Sequence, residues 1–247
     1  MAHFFTVVFY QPILNLLVFL YNTVSFHDLG VAIILLTAVI KLVLWPLGRS
    51  SIKSQKALQD LQPKIDELKA KYKDKTELSR ATMDLYKENK INPFSSCLPL
   101  LIQLPFLFAV YQVFRDGVSN KLDLVYAFIG KPEMINVISF GFLDLAKPNV
   151  YLAILAGLAQ FLQAKMMVTA KPAVNTPGSK DESMAAIMNK QMLYFMPAIT
   201  IFIGISLPGG LTLYWLVLTL FTVLQQVVTF RKKASRNGLV EGEIIKN

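Results

Sequence analysis

The chain has 247 residues, of which 54% are hydrophobic and only 17% are charged, whereas soluble domains average roughly 25% charged residues. Its mean hydropathy of +0.47 indicates a membrane protein, although the formal net charge is +9. One cysteine and two histidines exclude an internal disulfide framework and leave little for histidine-based catalysis. The sequence contains no P-loop, dinucleotide-binding fingerprint or metal-ligand spacing. We therefore expect no cofactor, no metal site and no enzymatic activity.

Several apolar stretches approach the roughly 20 residues that a transmembrane helix needs. We predict five spans, which cover residues 29–49, 93–116, 150–169, 191–207 and 208–230. They leave connecting segments at residues 50–92, 117–149 and 170–190 and a short basic tail at 231–247. The predicted fold class is an all-α polytopic membrane protein, a single five-helix transmembrane bundle.

Residues 1–28 are open to two interpretations. They are long and apolar enough to span, but Gln11-Pro12, Asn15 and Asn22 interrupt them. One helical face is apolar, at Leu14, Leu17, Val18 and Tyr21. This pattern is typical of an amphipathic helix that lies in the membrane interface. We predict an interfacial helix, with a sixth spanning helix as the alternative.

Basic residues are distributed unevenly between the two sides that these spans define. One side, formed by segments 49–90, 165–190 and 231–247, holds twenty of the 25 Lys and Arg residues. With acidic residues included, this side carries +9 and the opposite side −1. Because cytoplasmic loops hold the excess of Lys and Arg, we predict that this side and the C terminus are cytoplasmic and that 117–149 is extracytoplasmic.

The cytoplasmic insert at 50–92 has the pattern of two helices. An apolar seam recurs at spacings of three and four, at Leu58, Leu61, Ile65, Leu68 and Tyr72. Lys73-Asp74-Lys75 interrupts the seam before a second, shorter one begins. We predict an antiparallel helical hairpin that ends at Asn92-Pro93, where an N-cap residue and a proline begin the next span.

Lys41 lies inside the first span, where a charged side chain costs roughly 2.5–3.5 kcal/mol on insertion scales. Thr37 lies one turn earlier on the same helical face. The later spans also contain polar residues, at Gln103, Gln112, Gln160, Gln163, Thr219, Thr222, Gln225 and Gln226. The set predicts a shared hydrated cavity around one cation. The alternative is that Lys41 extends to the nearby interface, while each other residue makes an ordinary interhelical hydrogen bond.

Four motifs occur in the order and spacing of a known family. They are TAVIK at 37–41 with WPL at 45–47, LQPKI at 61–65, NP at 92–93 with CLPLLIQLP at 97–105, and LPGGL at 207–211 with LYW at 213–215. The run 92–105 is the most specific, because two prolines within an apolar span are unusual. From about residue 10 to residue 235, the chain resembles the YidC-type membrane protein insertases, in the short form without a large extracytoplasmic domain.

The resemblance implies five helices around a hydrophilic groove that is open to the cytoplasm and the lipid and closed on the outside. It also implies an interfacial helix before the bundle. The family groove carries one positive residue, usually arginine, and Lys41 stands at that position. Lysine keeps the charge but loses the planar fork of donors. Thr37, Gln163 and Trp215 match family groove residues by position, and Gln103 completes the expected set.

We therefore expect the chain to move nascent membrane proteins from the cytoplasm into the lipid bilayer of a bacterial plasma membrane without ATP. The hairpin, with Pro63, Lys64 and Tyr72 as contact residues, would receive the substrate or a partner. Such a partner would be the general secretion channel, the ribosome or a targeting factor, and we expect no nucleic-acid specificity. Two alternatives are a small-molecule or ion transporter that uses Lys41 as a counter-ion and an assembly factor that binds finished helices.

Overall fold

A computed structural model of the chain describes residues 2–72, 74–92, 98–115, 122–167 and 190–244. Within these ranges one antiparallel pair of strands occurs, β1 (Ile138–Ser139) and β2 (Leu143–Asp144). The helices are α1, built from Ala2–Phe5, a π-helical turn Thr6–Tyr10 and Gln11–Thr23; α2, Leu29–Val43; α3, Trp45–Asp60; α4, Gln62–Lys71; α5, Lys75–Glu88; α6, Leu98–Arg115; α7, Val150–Met167; α8, Met196–Gly204, after a π-helical turn Gln191–Phe195; and α9, Gly209–Ile244.

Three helices of the described ranges are long and apolar enough to cross a membrane, namely His3–Thr23, Val150–Met167 and Gly209–Phe230. The bent pair formed by α2 and α3 makes a fourth if it is counted as one span. Two further apolar helices, Leu101–Arg115 and Gln191–Gly204, are shorter. The predicted class, an all-α polytopic membrane protein, is confirmed, while the number of five spans stays a prediction.

Helix α9 lies at the centre of the bundle and packs along α7 and α2. Its first turn is fixed by hydrogen bonds from the Gly209 and Gly210 amides to the Lys147 and Leu145 carbonyls, both 2.9 Å long. Helix α2 begins at the same end, where the Gly30 amide donates to the Ser139 hydroxyl at 2.7 Å. We call this the connection end and the opposite end, which carries α3 to α5, the hairpin end. Helices α2, α7 and α9 all run from the connection end to the hairpin end.

The first predicted span, 29–49, is broken in the structure. Helix α2 ends at Val43, and the chain turns by 70° into α3. Pro46 lies in the first turn of α3 and has no amide proton to donate to the Leu42 carbonyl, so a continuous helix would lose this hydrogen bond. The break therefore lies two residues beyond Lys41.

The hairpin end contains the predicted pair of helices, α4 and α5, which pack together across a short turn. Two residues of the predicted seam, Leu61 and Ile65, are buried. The Asp74 carboxylate caps α5 by accepting hydrogen bonds from the Thr76 and Glu77 amides. The helix start predicted at Asn92-Pro93 involves Pro93, which lies in the gap 93–97 outside the described residues. Helix α9 contains a candidate membrane span at Gly209–Phe230 and continues as a helix to Ile244.

The apolar face predicted for α1 is confirmed, since Leu14, Leu17, Val18 and Tyr21 are all buried. The polar residues that interrupt this helix bind the segment between α6 and α7, which we call the connection. The amides of Gln11 and Asn15 both donate to the Leu124 carbonyl at 3.1 Å, and the Asn22 amide donates to the Gly130 carbonyl at 2.5 Å. The connection thus runs along α1 for three turns. This arrangement suits an interfacial helix, whose placement stays a prediction.

Asp28 joins α2 to the strand hairpin. Its carboxylate caps α2 by accepting from the Val31 amide at 3.1 Å and also accepts from the Phe140 amide at 2.6 Å. Partial burial raises the pKa of this carboxyl, but the hydrogen bonds from Phe140, Val31 and Ser139 outweigh it, and the net pKa lies below the usual 3.8. A lowered pKa stabilises the folded state above the unfolded pKa, and this contribution is lost as the pH falls through the folded pKa.

We predict that replacing Asp28 by Ala destabilises the protein by about 0.5–2 kcal/mol, the usual cost of losing an N-cap. In wild-type protein, hydrogen exchange of the Phe140 amide should accelerate as the pH is lowered below 3.8. The exchange rate is compared with the intrinsic rate of an unprotected amide at the same pH. In Asp28→Asn this extra acceleration should disappear, because the amide side chain does not titrate. An unchanged pH profile in Asp28→Asn would contradict the assignment.

Helices α7 and α8 approach closely at Gly157. A side chain at this position would overlap the Ile201 side chain and lie 3.1 Å from the Pro197 carbonyl oxygen. We predict that Gly157→Ala lowers thermal stability, because overpacking costs about 1–3 kcal/mol. This cost exceeds what alanine gains over glycine in helix propensity. The double variant Gly157→Ala/Ile201→Ala should be less destabilised than the sum of its parts. Gly130→Ala is the control, since the nearest atom to a side chain there is 3.8 Å away.

Candidate functional site

The Lys41 side chain crosses from α2 to α9 inside the bundle. Its ammonium donates a hydrogen bond of 2.7 Å to the Thr222 hydroxyl, and the side chain is half-buried. Among the described residues, no carboxylate lies within ion-pair distance of it. The alternative expects the Lys41 side chain to extend to the membrane interface. In the structure its ammonium is instead directed at a neighbouring helix.

The Thr222 hydroxyl is oriented by its own helix. It donates to the Leu218 carbonyl at 2.8 Å, so its lone pairs face Lys41. Thr219 donates in the same way to the Trp215 carbonyl at 2.9 Å. A lysine ammonium has three donors, and Thr222 is the acceptor that the described residues supply. The site therefore offers positive charge and free donors to an acidic or carbonyl group.

Gln163 lies on α7 at the level of Lys41. Gly204 lies between Ala153 of α7 and Thr212 of α9. Ala153 and Thr212 are therefore at the same height along these two parallel helices. Gln163 lies ten residues after Ala153, and Thr222 lies ten residues after Thr212. Each step is about 15 Å along the helix, at 1.5 Å per residue. The structure thus puts Gln163 level with Lys41 and Thr222, and its side chain is half-buried.

A second polar pair lies nearer the start of α9. The Gln103 amide donates to the Tyr214 hydroxyl at 2.6 Å, and the Tyr214 side chain is fully buried. Trp215, the next residue, is half-buried. This pair ties α6 to α9, so Gln103 has a structural role in addition to any contact with a substrate.

Polar residues continue along α9 toward the hairpin end. The Gln225 amide donates to the Trp45 carbonyl at 2.8 Å and packs against Gly48, where a side chain would meet the Gln225 oxygen at 2.8 Å. Gln225 therefore ties α9 to the first residue of α3, immediately after the break. Gln226 is also buried, and its amide oxygen has no hydrogen-bond partner in the part of the chain that the structure describes.

The other predicted site residues have different surroundings. Thr37 is fully buried, and its hydroxyl donates to the Ile33 carbonyl at 2.7 Å, so it packs within the bundle and does not line an open surface. Pro63, Lys64 and Tyr72 lie on or beside α4 in the hairpin, away from the Lys41 contact.

Sequence reasoning included Thr222 among the polar residues but did not select it as the partner of Lys41. The signal was present, because Trp215, Thr219, Thr222 and Gln226 recur at spacings of three and four and so share one face of α9. The pairing itself depends on how α2 and α9 pack, which spacing within one helix does not encode.

Comparison with known proteins identifies the family. The family model described as 60Kd inner membrane protein matches residues 19–236. A relative from Fusobacterium nucleatum, named membrane protein insertase YidC, is 36% identical over 91% of the chain and 98% of its own length. A relative of the same name from Syntrophus aciditrophicus is 39% identical over 87% of the chain. A Listeria monocytogenes relative named membrane protein insertase YidC 1 is 36% identical over 87% of the chain.

The relatives differ in length. The chain spans only 35% of the Syntrophus aciditrophicus protein and 69% of the Listeria monocytogenes protein, so the shared part is the membrane bundle with its hairpin. The family match covers Lys41, Gln103, Gln163 and Trp215, as well as Thr222. The chain therefore belongs to the 60Kd inner membrane protein family, the family of the YidC membrane protein insertases.

Proposed function

We propose that the chain inserts membrane proteins into the lipid bilayer and that Lys41 is the positive centre of the groove through which they pass. One observation carries this proposal: a lysine ammonium is held between two membrane helices by a hydroxyl, without a carboxylate partner among the described residues. A structural ion pair would keep its counter-charge within the bundle. A site that attracts a passing acidic residue leaves that counter-charge to the substrate.

The transfer makes and breaks no covalent bond, so electrostatics and partitioning supply the driving force. A carboxylate of the translocated segment loses hydration on entering the bilayer, and Lys41 offsets part of this cost. The attraction between unit charges at a given distance grows as the local dielectric constant falls, so the same lysine is more effective inside the bundle than at its surface. Water and the hydroxyl groups beside it replace the rest of the hydration shell.

The apolar part of a substrate needs a path into lipid beside the groove. Helix α7 exposes Leu155, Leu158 and Leu162, and α9 exposes Leu220 and Leu224. These side chains face outward from the helices that carry Gln163 and Thr222. A substrate helix that leaves the groove along this surface buries its own apolar side chains in lipid, and this burial makes the transfer favourable.

The side of the membrane from which a substrate enters follows from the distribution of basic residues. We propose that the hairpin end is cytoplasmic, because the basic excess of the sequence lies there. The substrate then enters beside the hairpin, with Pro63, Lys64 and Tyr72 as candidate contacts with substrate or partner. The ribosome, a targeting factor and the general secretion channel are the partners we propose to test first.

The transporter alternative finds no support, since the relatives compared with the chain are named insertases. The assembly-factor alternative makes a different prediction. Under that alternative, substrates enter the membrane without the protein and only fail to assemble afterwards.

We predict that Lys41→Met slows insertion of a substrate with a short acidic translocated tail by about tenfold or more, because a hydrogen bond to a charged group contributes about 1.5–3 kcal/mol. Lys41→Arg should retain most of the activity. Lys165→Met is the matched control, because Lys165 is exposed on α7 and its loss removes the same charge. Protease protection of the tail in proteoliposomes measures the rate. Equal rates for Lys41→Met and wild type would exclude the groove-charge mechanism.

We also predict contact between the substrate and the site during insertion. A photo-crosslinking residue at Thr222 should capture a ribosome-bound nascent chain while its tail is still accessible to protease, and the crosslink should fade once the tail is protected. The same probe at Ile154, exposed on α7 nearer the connection end, is the comparison. Crosslinks at Thr222 that appear only after protection is complete would favour the assembly factor.

A further inference from the structure

Three phenylalanines at the connection end have nearly all of their surface exposed. The exposed fractions are 95% for Phe26, 84% for Phe128 and 82% for Phe142. Burial of one phenylalanine removes about 150–250 Å² of surface from water, so three exposed rings together leave a large amount of apolar surface uncovered. Such an area on a protein surface marks a contact with another molecule or with a membrane.

The structure brings these three rings to one region. Phe26 lies two residues before Asp28, whose carboxylate holds the Phe140 amide at 2.6 Å, and Phe142 follows two residues later. The Asn22 amide, near the end of α1, donates to the Gly130 carbonyl at 2.5 Å, which keeps Phe128 beside the same helix end. The rings come from three separate segments that hydrogen bonds hold together around the start of α2.

The backbone that presents the rings is strained. Phe26, His27 and Phe140 have φ angles of 54°, 60° and 54°, in the left-handed region that bulky residues rarely adopt. Such conformations persist only where the surroundings fix them. Here the Asp28 hydrogen bonds fix Phe140, and the His27 ring packs edge-on against Tyr21 with centroids 5.5 Å apart. The molecule therefore tolerates unfavourable backbone angles in a segment that turns the Phe26 ring outward.

We infer that Phe26, Phe128 and Phe142 insert into the boundary between headgroups and acyl chains of the leaflet at the connection end and anchor the bundle there. Aromatic residues are enriched at this depth of a membrane. The cluster lies at the first turn of α2, a helix of the membrane bundle, and Tyr151 at the start of α7 is 78% exposed at the same end. Exposed side chains of the bundle thus reach the same end of the molecule as the cluster.

The charges around the cluster favour lipid over a protein partner. Asp123 pairs with Lys131, and Asp144 pairs with Lys147. Each of these pairs is internally neutral, and the whole side that the connection belongs to carries a net charge of only −1. An apolar surface with so little net charge is suited to a zwitterionic bilayer. Because α1 is bonded to the same connection, its C-terminal end must lie at the same depth.

The test measures the depth of each ring position in vesicles. In the full chain with Cys97→Ser, single cysteines at positions 26, 128 and 142 are labelled with a nitroxide and reconstituted in phosphatidylcholine vesicles. The collision rates with oxygen, which concentrates in acyl chains, and with a neutral nickel complex, which stays in water, are then compared. Glu133→Cys, exposed on the same connection, is the control. We expect the ratio of oxygen to nickel collisions to be several-fold higher at all three ring positions than at 133.

A nitroxide is itself apolar, so a second measurement leaves the rings intact. A label at Ile138, which is 50% exposed on β1, reports depth with and without the substitutions Phe26→Ser, Phe128→Ser and Phe142→Ser. Loss of the rings should increase nickel collisions at 138 several-fold. Ratios at 26, 128 and 142 equal to that at 133, or no change at 138, would overturn the anchor and leave a protein partner as the remaining explanation. Neither outcome depends on insertase activity.

Discussion

The hydrogen bond from Lys41 to Thr222 joins the two helices around which the rest of the bundle is arranged. It places a cation inside the protein, although a charge at this depth is costly. It also fixes the rotation of α2 against α9, because Thr222 is held by its own helix through the Leu218 carbonyl. The break after Val43 lies directly beyond this contact, and Gln225 donates to the carbonyl of Trp45, the first residue of α3. The Lys41 contact and the change of chain direction are thus parts of one local structure.

The two ends of the bundle have different construction. At the connection end, the Asp28 carboxylate accepts from Phe140, and the amides of Asn22 and Gln11 donate to the connection. The Gly209 and Gly210 amides bond the start of α9 to the same connection. At the hairpin end, α3 leaves the bundle at 70° and α4 and α5 pack mainly on each other. A closed, cross-linked end and an end from which the chain extends suit a groove with a single opening. A substrate that enters from the hairpin side would meet Lys41 in the last turn of α2.

Much of this was predictable from the sequence, since the periodicity of apolar residues is a local property. The buried face of α1 and the seam at Leu61 and Ile65 followed from spacing. The cost of a charge in lipid directed attention to Lys41, whose role stays a prediction. The break at Leu44 was missed, although Pro46 signalled it, because a run of apolar residues hides the loss of one hydrogen bond. Thr37 shares a face with Lys41 and is buried in the bundle, and its place in the groove stays a prediction. The partner of Lys41 depends on tertiary packing and needed the structure.

The central claim is that the sign of the charge at position 41 selects the segment that passes. A charge exchange tests it most directly, with Lys41→Glu and wild type each given a substrate with an acidic tail and its counterpart in which lysine replaces each acidic residue. The account predicts that wild type inserts the acidic tail faster and that Lys41→Glu reverses this preference. If both proteins keep the same preference, or if Lys41→Glu merely slows both substrates equally, the charge at position 41 does not act on the substrate.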